Sequence, residues 1–205
     1  MLTLHPITLT GRVVRLEPLS ETHVPDLTRA GQDEAIWRFM PYGRLKTEAE
    51  MRQWVLNLLE RQAAGTDLPF AVIQLDSEQA VGATRFMEIH PQHRNLEIGG
   101  TWYAPAAQRT AVNTESKYLL LRYAFDVLNY VRVQFKADLR NERSQTAIAR
   151  LGAVREGVLR HTLIMPDGYL RSSVYFSILA EEWPAVKAGL EAKLGLTPPP
   201  LPDNA

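Results

Sequence analysis

The sequence predicts a mixed α/β (α+β) fold, a mostly antiparallel central sheet flanked by helices, and three observations carry this reading. Three extended runs, Phe70 to Leu75, Ala80 to His90 and Leu96 to Tyr103, follow one another across short polar breaks, the pattern of an antiparallel meander. A long Leu-rich helix from Thr114 to about Leu128 then leads to a strand, in which Val131, Val133, Phe135 and Ala137 alternate with polar residues to Asp138, giving a βαβ unit. Val154 to about Arg160 and Tyr169 to Leu179 read as a hairpin pair joined around Asp167-Gly168.

The remaining elements have local causes. Arg12 to Pro18 alternates as a strand, and Ser20 can cap a helix to about Ala30. Thr47 and Glu50 have capping-box spacing, and Met51, Trp54, Val55, Leu58 and Leu59 then recur at helical period until Gly65. Ile36 to Met40 is a short aromatic segment without a clear period. Ser144 can begin a short helix through Ile148 to Leu151, stopped by Gly152, and Glu181 to Leu194 is a final amphipathic helix. One domain, residues 1–196, is expected, with Thr197 to Ala205 and its four prolines as a disordered tail.

Composition narrows the function. Lys+Arg and Asp+Glu both number 23, so no global basic field advertises a nucleic acid, and any anion site must be local. No run of about 18 apolar residues and no signal peptide is visible, which predicts a cytoplasmic protein with no membrane partner. The absence of cysteine excludes a thiolate nucleophile. His5, His90 and His93 show no metal-ligand spacing, so no metal is expected.

The stretch from Gln108 to Glu115, between the run ending at Tyr103 and the long helix, is the candidate site. A helix N-terminus has unpartnered backbone N–H groups and the positive end of the macrodipole, so an anion can sit there. Asn113 or Thr114 is expected as N-cap, and Arg109 adds a full positive charge. An ordinary capped helix is the alternative reading. In βαβ units ligands bind beyond the carboxyl ends of the strands, where this stretch would lie.

Two motifs resemble the GNAT N-acetyltransferase superfamily, in particular its RimJ/RimL-type branch acting on ribosomal proteins and small amines. The first is Glu97-Ile98-Gly99-Gly100-Thr101-Trp102-Tyr103-Ala104-Pro105 followed by Gln108 to Glu115; the second runs from Asn141 to Ala153 with Glu156-Gly157. The resemblance implies a splayed βαβ core that takes acetyl-CoA as co-substrate. It places the pyrophosphate on Gln108, Arg109, Thr110, Ala111, Val112, Asn113 and Thr114, and the pantetheine arm along Trp102 and Tyr103 with Asn141. Ala111 and Asn113 stand where the family usually has glycine. Ser144 matches a hydroxyl near the coenzyme sulfur, able to protonate the leaving thiolate; its other reading is a helix cap, and for Asn141 a turn residue.

Acyl transfer to an amine needs the neutral nucleophile. A lysine amine is only about 0.04% neutral at pH 7 and an α-amine roughly one-seventh, a gap of about 3.5 kcal/mol. Glu97 is the first candidate for the base, then Glu88, then His161, and for Glu97 the plain alternative is an exposed strand carboxylate. Trp37, Phe39, Tyr42, Trp54 and Trp102 are candidates for shaping an acceptor pocket. The reading is direct transfer from acetyl-CoA to a primary amine, a protein N-terminus or a small molecule, by a protein that would be a homodimer if it follows the resemblance. A non-catalytic acyl-CoA-binding or sensing module stays open beside it, as does an α/β protein holding another phosphate ligand.

Overall fold

The computed structural model describes residues 5–196; the expected tail at 197–205 lies outside the described residues. The chain runs through β1 (Leu9–Thr10), β2 (Val14–Pro18), α1 (Val24–Ala30), α2 (Glu48–Ala63), β3 (Leu68–Gln74), β4 (Gln79–His90), β5 (Asn95–Tyr103), α3 (Ala111–Arg122), β6 (Arg132–Asp138), α4 (Glu142–Ala149), β7 (Val154–Ile164), β8 (Leu170–Leu179) and α5 (Trp183–Lys193). One sheet takes the order β1-β2-β3-β4-β5-β6-β8-β7, with β5 and β6 its parallel pair. The expected mixed fold is present.

Local chemistry sets most boundaries. At α2 the Thr47 hydroxyl accepts from the Glu50 amide at 3.2 Å while the Glu50 carboxylate accepts from the Thr47 amide at 2.9 Å, the reciprocal capping box. The helix expected after Ser20 divides into a 3-10 turn, Glu21–His23, and α1, with Pro25 in the first turn where no amide is needed. Strand β7 runs four residues beyond its expected end, through a break in register where His161 takes φ 50°. Helix α3 continues as a π-turn over Tyr123–Val127, which carries the helical path to the expected end near Leu128.

The sheet separates two cores. Helices α3 and α5 cover one face, over Phe70, Phe86, Leu96, Ile98, Val133, Phe135 and Phe176. On the other face α1 and α2 cover Ala71, Ile73, Ala83 and Trp102. Their cover stops there, so the same face of β6 presents Gln134 and Lys136, and that of β8 Tyr175, to an open depression of about 340 Å³.

Two irregularities shape the centre of the sheet. Parallel pairing of β5 with β6 involves only Asn95–Arg132, Leu96–Val133 and Glu97–Gln134. Beyond Glu97 the strands diverge, and β6 continues paired to β8 alone. The register of β5 on β4 also slips: Ala83 faces Trp102 but Arg85 faces Gly99, so Gly100 and Thr101 together stand opposite Thr84 as a bulge.

Helix α3 spans this centre and is pinned by Glu115. The carboxylate is 2% exposed and accepts the amides of Arg12, Val13 and Val14 at 2.8, 2.7 and 2.7 Å. Gly11 is required beside it, because a Cβ there would stand 2.4 Å from the Glu115 carboxyl carbon. Glu115→Ala would orphan three amides and is expected to cost roughly 2–4 kcal/mol of stability, seen as a lower urea midpoint at unchanged slope; Glu115→Gln, which retains one acceptor oxygen, should lose less.

Candidate active site

The loop after β5 is held so that the start of α3 stays open. Gln108 Nε2 donates to the Tyr103 carbonyl at 2.9 Å, folding the loop back on the strand end. Arg109 then reverses the chain in the left-handed region at φ 61°, a conformation that costs a non-glycine residue about 1 kcal/mol or more. Thr110 is the N-cap: its hydroxyl accepts the Val112 amide at 3.2 Å and donates to the Ala107 carbonyl at 2.7 Å. The helix therefore begins three residues before the expected caps, Asn113 and Thr114, which lie in its first turn. The cause is Val112, 1% exposed in the main core, whose burial requires helical phase from Ala111 onward. The cap engages only the Val112 amide, so the Ala111 and Asn113 amides remain for an anion, beside an exposed Arg109 that makes no ion pair among the described residues. The side chain of Ala111 is exposed and small, and Val112 offers only its backbone.

Trp102 and Tyr103 are both buried. The Trp102 ring packs on Trp37 and Trp54, centroids 4.9 and 6.1 Å away, and Tyr42 completes the cluster against Trp54. These aromatic side chains form the second core instead of lining an open pocket. Phe39 stands apart, its carbonyl accepting from Arg171 and its ring under the Arg38 and Arg140 guanidinium groups.

Glu97 lies where the two strands part. It is 1% exposed, which replaces the reading of an exposed strand carboxylate. Oε2 accepts from Gln134 at 3.0 Å and pairs with Lys136 at 3.2 Å. Oε1 lies against Gly99, where a Cβ would stand 2.9 Å away, so the missing side chain keeps that oxygen uncovered. Desolvation raises the Glu97 pKa above the usual carboxylate range, opposed by the Lys136 charge and the Gln134 bond, with Glu88 adding to the rise. Exposed Glu88 walls the depression together with His90, Gln134, Lys136 and Tyr175. His161 does not join them: it lies on edge strand β7, separated from β6 by β8.

Asn141 caps α4, its Oδ1 accepting the Ser144 amide at 3.1 Å. Ser144 is therefore the third helical residue and not the cap, and no protein hydrogen bond engages its hydroxyl among the described residues. The Asn141 cap brings both residues to the carboxyl end of β6, directly after Asp138 and Arg140.

Several residues of this region were not singled out from sequence. Gln134 and Lys136 were legible only as the polar side of a strand. Asp138 is buried and takes both a two-point contact from Arg140, at 3.1 and 2.9 Å, and the distant charge of Arg171 at 4.0 Å. Lys117 is 5% exposed, and its Nζ donates to Thr84 and Thr101 at the bulge. A lysine flanked by Ser116 and Tyr118 in a Leu-rich helix was the available signal.

The parts define an α/β site for a long anionic ligand: an uncapped helix start, an unpaired strand edge and a buried carboxylate where the gap closes. Among the described residues no group of acidic or histidine side chains is arranged to hold a metal, and no helix is long and apolar enough to cross a membrane. The model of the acetyltransferase (GNAT) domain matches residues 14–154, and the chain belongs to that family. It is similar to a solved protein of T. thermophilus described as an acetyltransferase, at 43% identity over 93% of this chain and 98% of that one, TM-score 0.85. YdaF of Bacillus subtilis (strain 168), provisionally named a ribosomal N-acetyltransferase, is 34% identical over 95 residues, 46% of this chain and 51% of YdaF, so the match spans about half of that relative. RimJ of Mycobacterium smegmatis, solved in complex with CoA-disulfide, shares the fold at 22% identity, TM-score 0.80, over 93% of this chain and 95% of its own.

Burial sets one measurable property of the region. Desolvation lowers the Lys117 pKa to about 7, against about 10.4 for an unfolded lysine. Between those values the unfolded chain binds more protons, so this group makes stability rise with pH from about 7 to about 10.4, and below about 7 its full cost is present. Unfolding midpoints of Lys117→Met and the parent should therefore differ most in the variant's favour near pH 6 and converge towards pH 10.

Proposed function

We propose that the chain is an acetyl-CoA-dependent N-acetyltransferase, a single cytoplasmic domain over residues 1–196 that acetylates a primary amine of a protein N-terminus or small molecule. The observation that carries this reading is the end of β5–β6 pairing at Glu97–Gln134, which leaves an open strand edge leading from the start of α3 to a buried carboxylate.

The residues present fit the co-substrate. Pyrophosphate oxygens would take the Ala111 and Asn113 amides with Arg109 at the rim; first-turn dipoles add about 0.3–1 kcal/mol each, so several contacts are needed together. The pantetheine arm would lie along β5 at Trp102 and Tyr103 as an added strand, with the free Asn141 amide nitrogen on its other side. Acetyl-CoA supplies the thioester carbonyl. Glu97 Oε1 accepts the amine proton as the new C–N bond forms, and Ser144 donates its hydroxyl proton to the thiolate as the C–S bond breaks. The raised Glu97 pKa makes it a better base, and Lys136 keeps it ionised near neutrality. Glu88 and His90 at the depression suit an approaching amine. The name of YdaF supports a protein acceptor.

Calorimetric titration tests the coenzyme part: the parent should bind acetyl-CoA selectively over an unrelated dinucleotide, and Arg109→Ala should lose about fivefold to tenfold in affinity. Glu97→Gln should lower thiol release with a peptide α-amine by about a hundredfold or more and remove an acid limb of the pH profile lying above the ordinary carboxylate range. Ser144→Ala should slow turnover with coenzyme affinity retained. Tight binding without release for any amine would instead favour the non-catalytic acyl-CoA module.

A further inference from the structure

Lys117 is a buried cation with no acidic partner among the described residues. Its Nζ donates to Thr101 Oγ1 at 2.6 Å and Thr84 Oγ1 at 3.2 Å, and the two hydroxyls are 2.8 Å apart, a closed triangle under the sheet. A lone buried ammonium is costly, whereas a leucine or methionine would fill similar space without that cost. The position of the triangle accounts for the cation. Thr84 and Thr101 are opposed across the slip in register, and the Gly100–Thr101 bulge lies in the part of β5 that β6 leaves uncovered. On the opposite face the bulge meets Arg85: a Cβ on Gly100, which has φ +57°, would stand 3.0 Å from its guanidinium carbon. Arg85 has a counter-charge, Asp67 Oδ1 at 2.8 Å from Nε, and Lys117 has none. The bulge is thus clamped between two cations, one neutralised and one not. A bulge redirects backbone groups, and an uncompensated positive charge beside it in a low dielectric favours negative charge developing at its amides.

We propose that Lys117 is a positioning residue for acyl transfer, holding the Gly100–Thr101 bulge through Thr84 and Thr101 so that its backbone edge receives the thioester oxygen in the β5–β6 opening. The inference rests on the acetyl-CoA reading. Free CoA lacks that oxygen, so the contribution of Lys117 belongs to the acetylated form.

The full chain and its Lys117→Met, Thr101→Val and Thr101→Ser variants are titrated with acetyl-CoA and with CoA, with melting temperatures recorded. Lys117→Met and Thr101→Val should lose at least about fivefold in acetyl-CoA affinity and stay within about twofold for CoA, and Thr101→Ser, which retains the hydroxyl, should keep the parent ratio. Lys117→Met should melt no lower than the parent, since methionine removes a desolvated charge. A merely structural lysine would lower both affinities together, and that result, or two unchanged affinities, overturns the proposal. Should Lys117→Met fail to fold, the ratio in Thr101→Val against Thr101→Ser decides alone. Failure of the parent to bind either ligand defeats the acetyl-CoA reading itself and this inference with it.

Discussion

Three residue pairs join the two parallel strands of the sheet, and the rest of the molecule accommodates their separation. Strand β6 keeps its backbone satisfied through β8, and the far edge of β5 is served by β4, so the gap exists without unravelling either neighbour. Helix α3 makes the gap tolerable by bridging it from one face, its Leu119, Leu120 and Leu121 buried in the main core. Its fixed point is Glu115, which ties the helix to the first hairpin through three amides. A helix held so firmly along its middle can leave its first turn exposed.

Electrostatics is arranged around the same opening. The buried acid at its closed end is balanced by one lysine and one amide side chain on β6, both bonded to the same oxygen, which leaves the other oxygen toward Gly99. Asp138, further along β6, is held ionised by Arg140, its pKa lowered despite a desolvation penalty. Charges on this face are paired within hydrogen-bond reach, as burial demands. Lys117, on the opposite face, departs from that pattern, and departures of this kind concentrate at functional sites.

The sequence exposed what local chemistry determines. Thr47 and Glu50 declared α2 because both halves of the capping box lie within four residues, and the meander was legible because its strands alternate between short polar breaks. The start of α3 was misplaced because Thr110, Asn113 and Thr114 are all competent caps, and only the tertiary burial of Val112 selects the first. Ser144 was read as a possible cap for the same reason, with Asn141 three residues earlier taking that place. Trp102 invites a pocket role by its size, yet the direction of its side chain depends on the β5 bulge, which is a property of pairing with β4. Lys117, Gln134 and Lys136 carry no spacing signal at all. Their surroundings come from strands more than fifteen residues away in sequence. Motif resemblance, by contrast, located Glu97, Asn141 and the α3 loop in one region, and the fold brings them around one gap.

The central claim is that the β5–β6 opening and the first turn of α3 form one continuous acetyl-CoA site. Backbone hydrogen exchange with and without acetyl-CoA addresses it directly, residue by residue. The account predicts slowed exchange confined to Gly99–Tyr103, Arg109–Asn113 and the region of Asn141, with the edge strand β7 unaffected. Saturating ligand that leaves those amides unchanged, or protects a different surface, would contradict it.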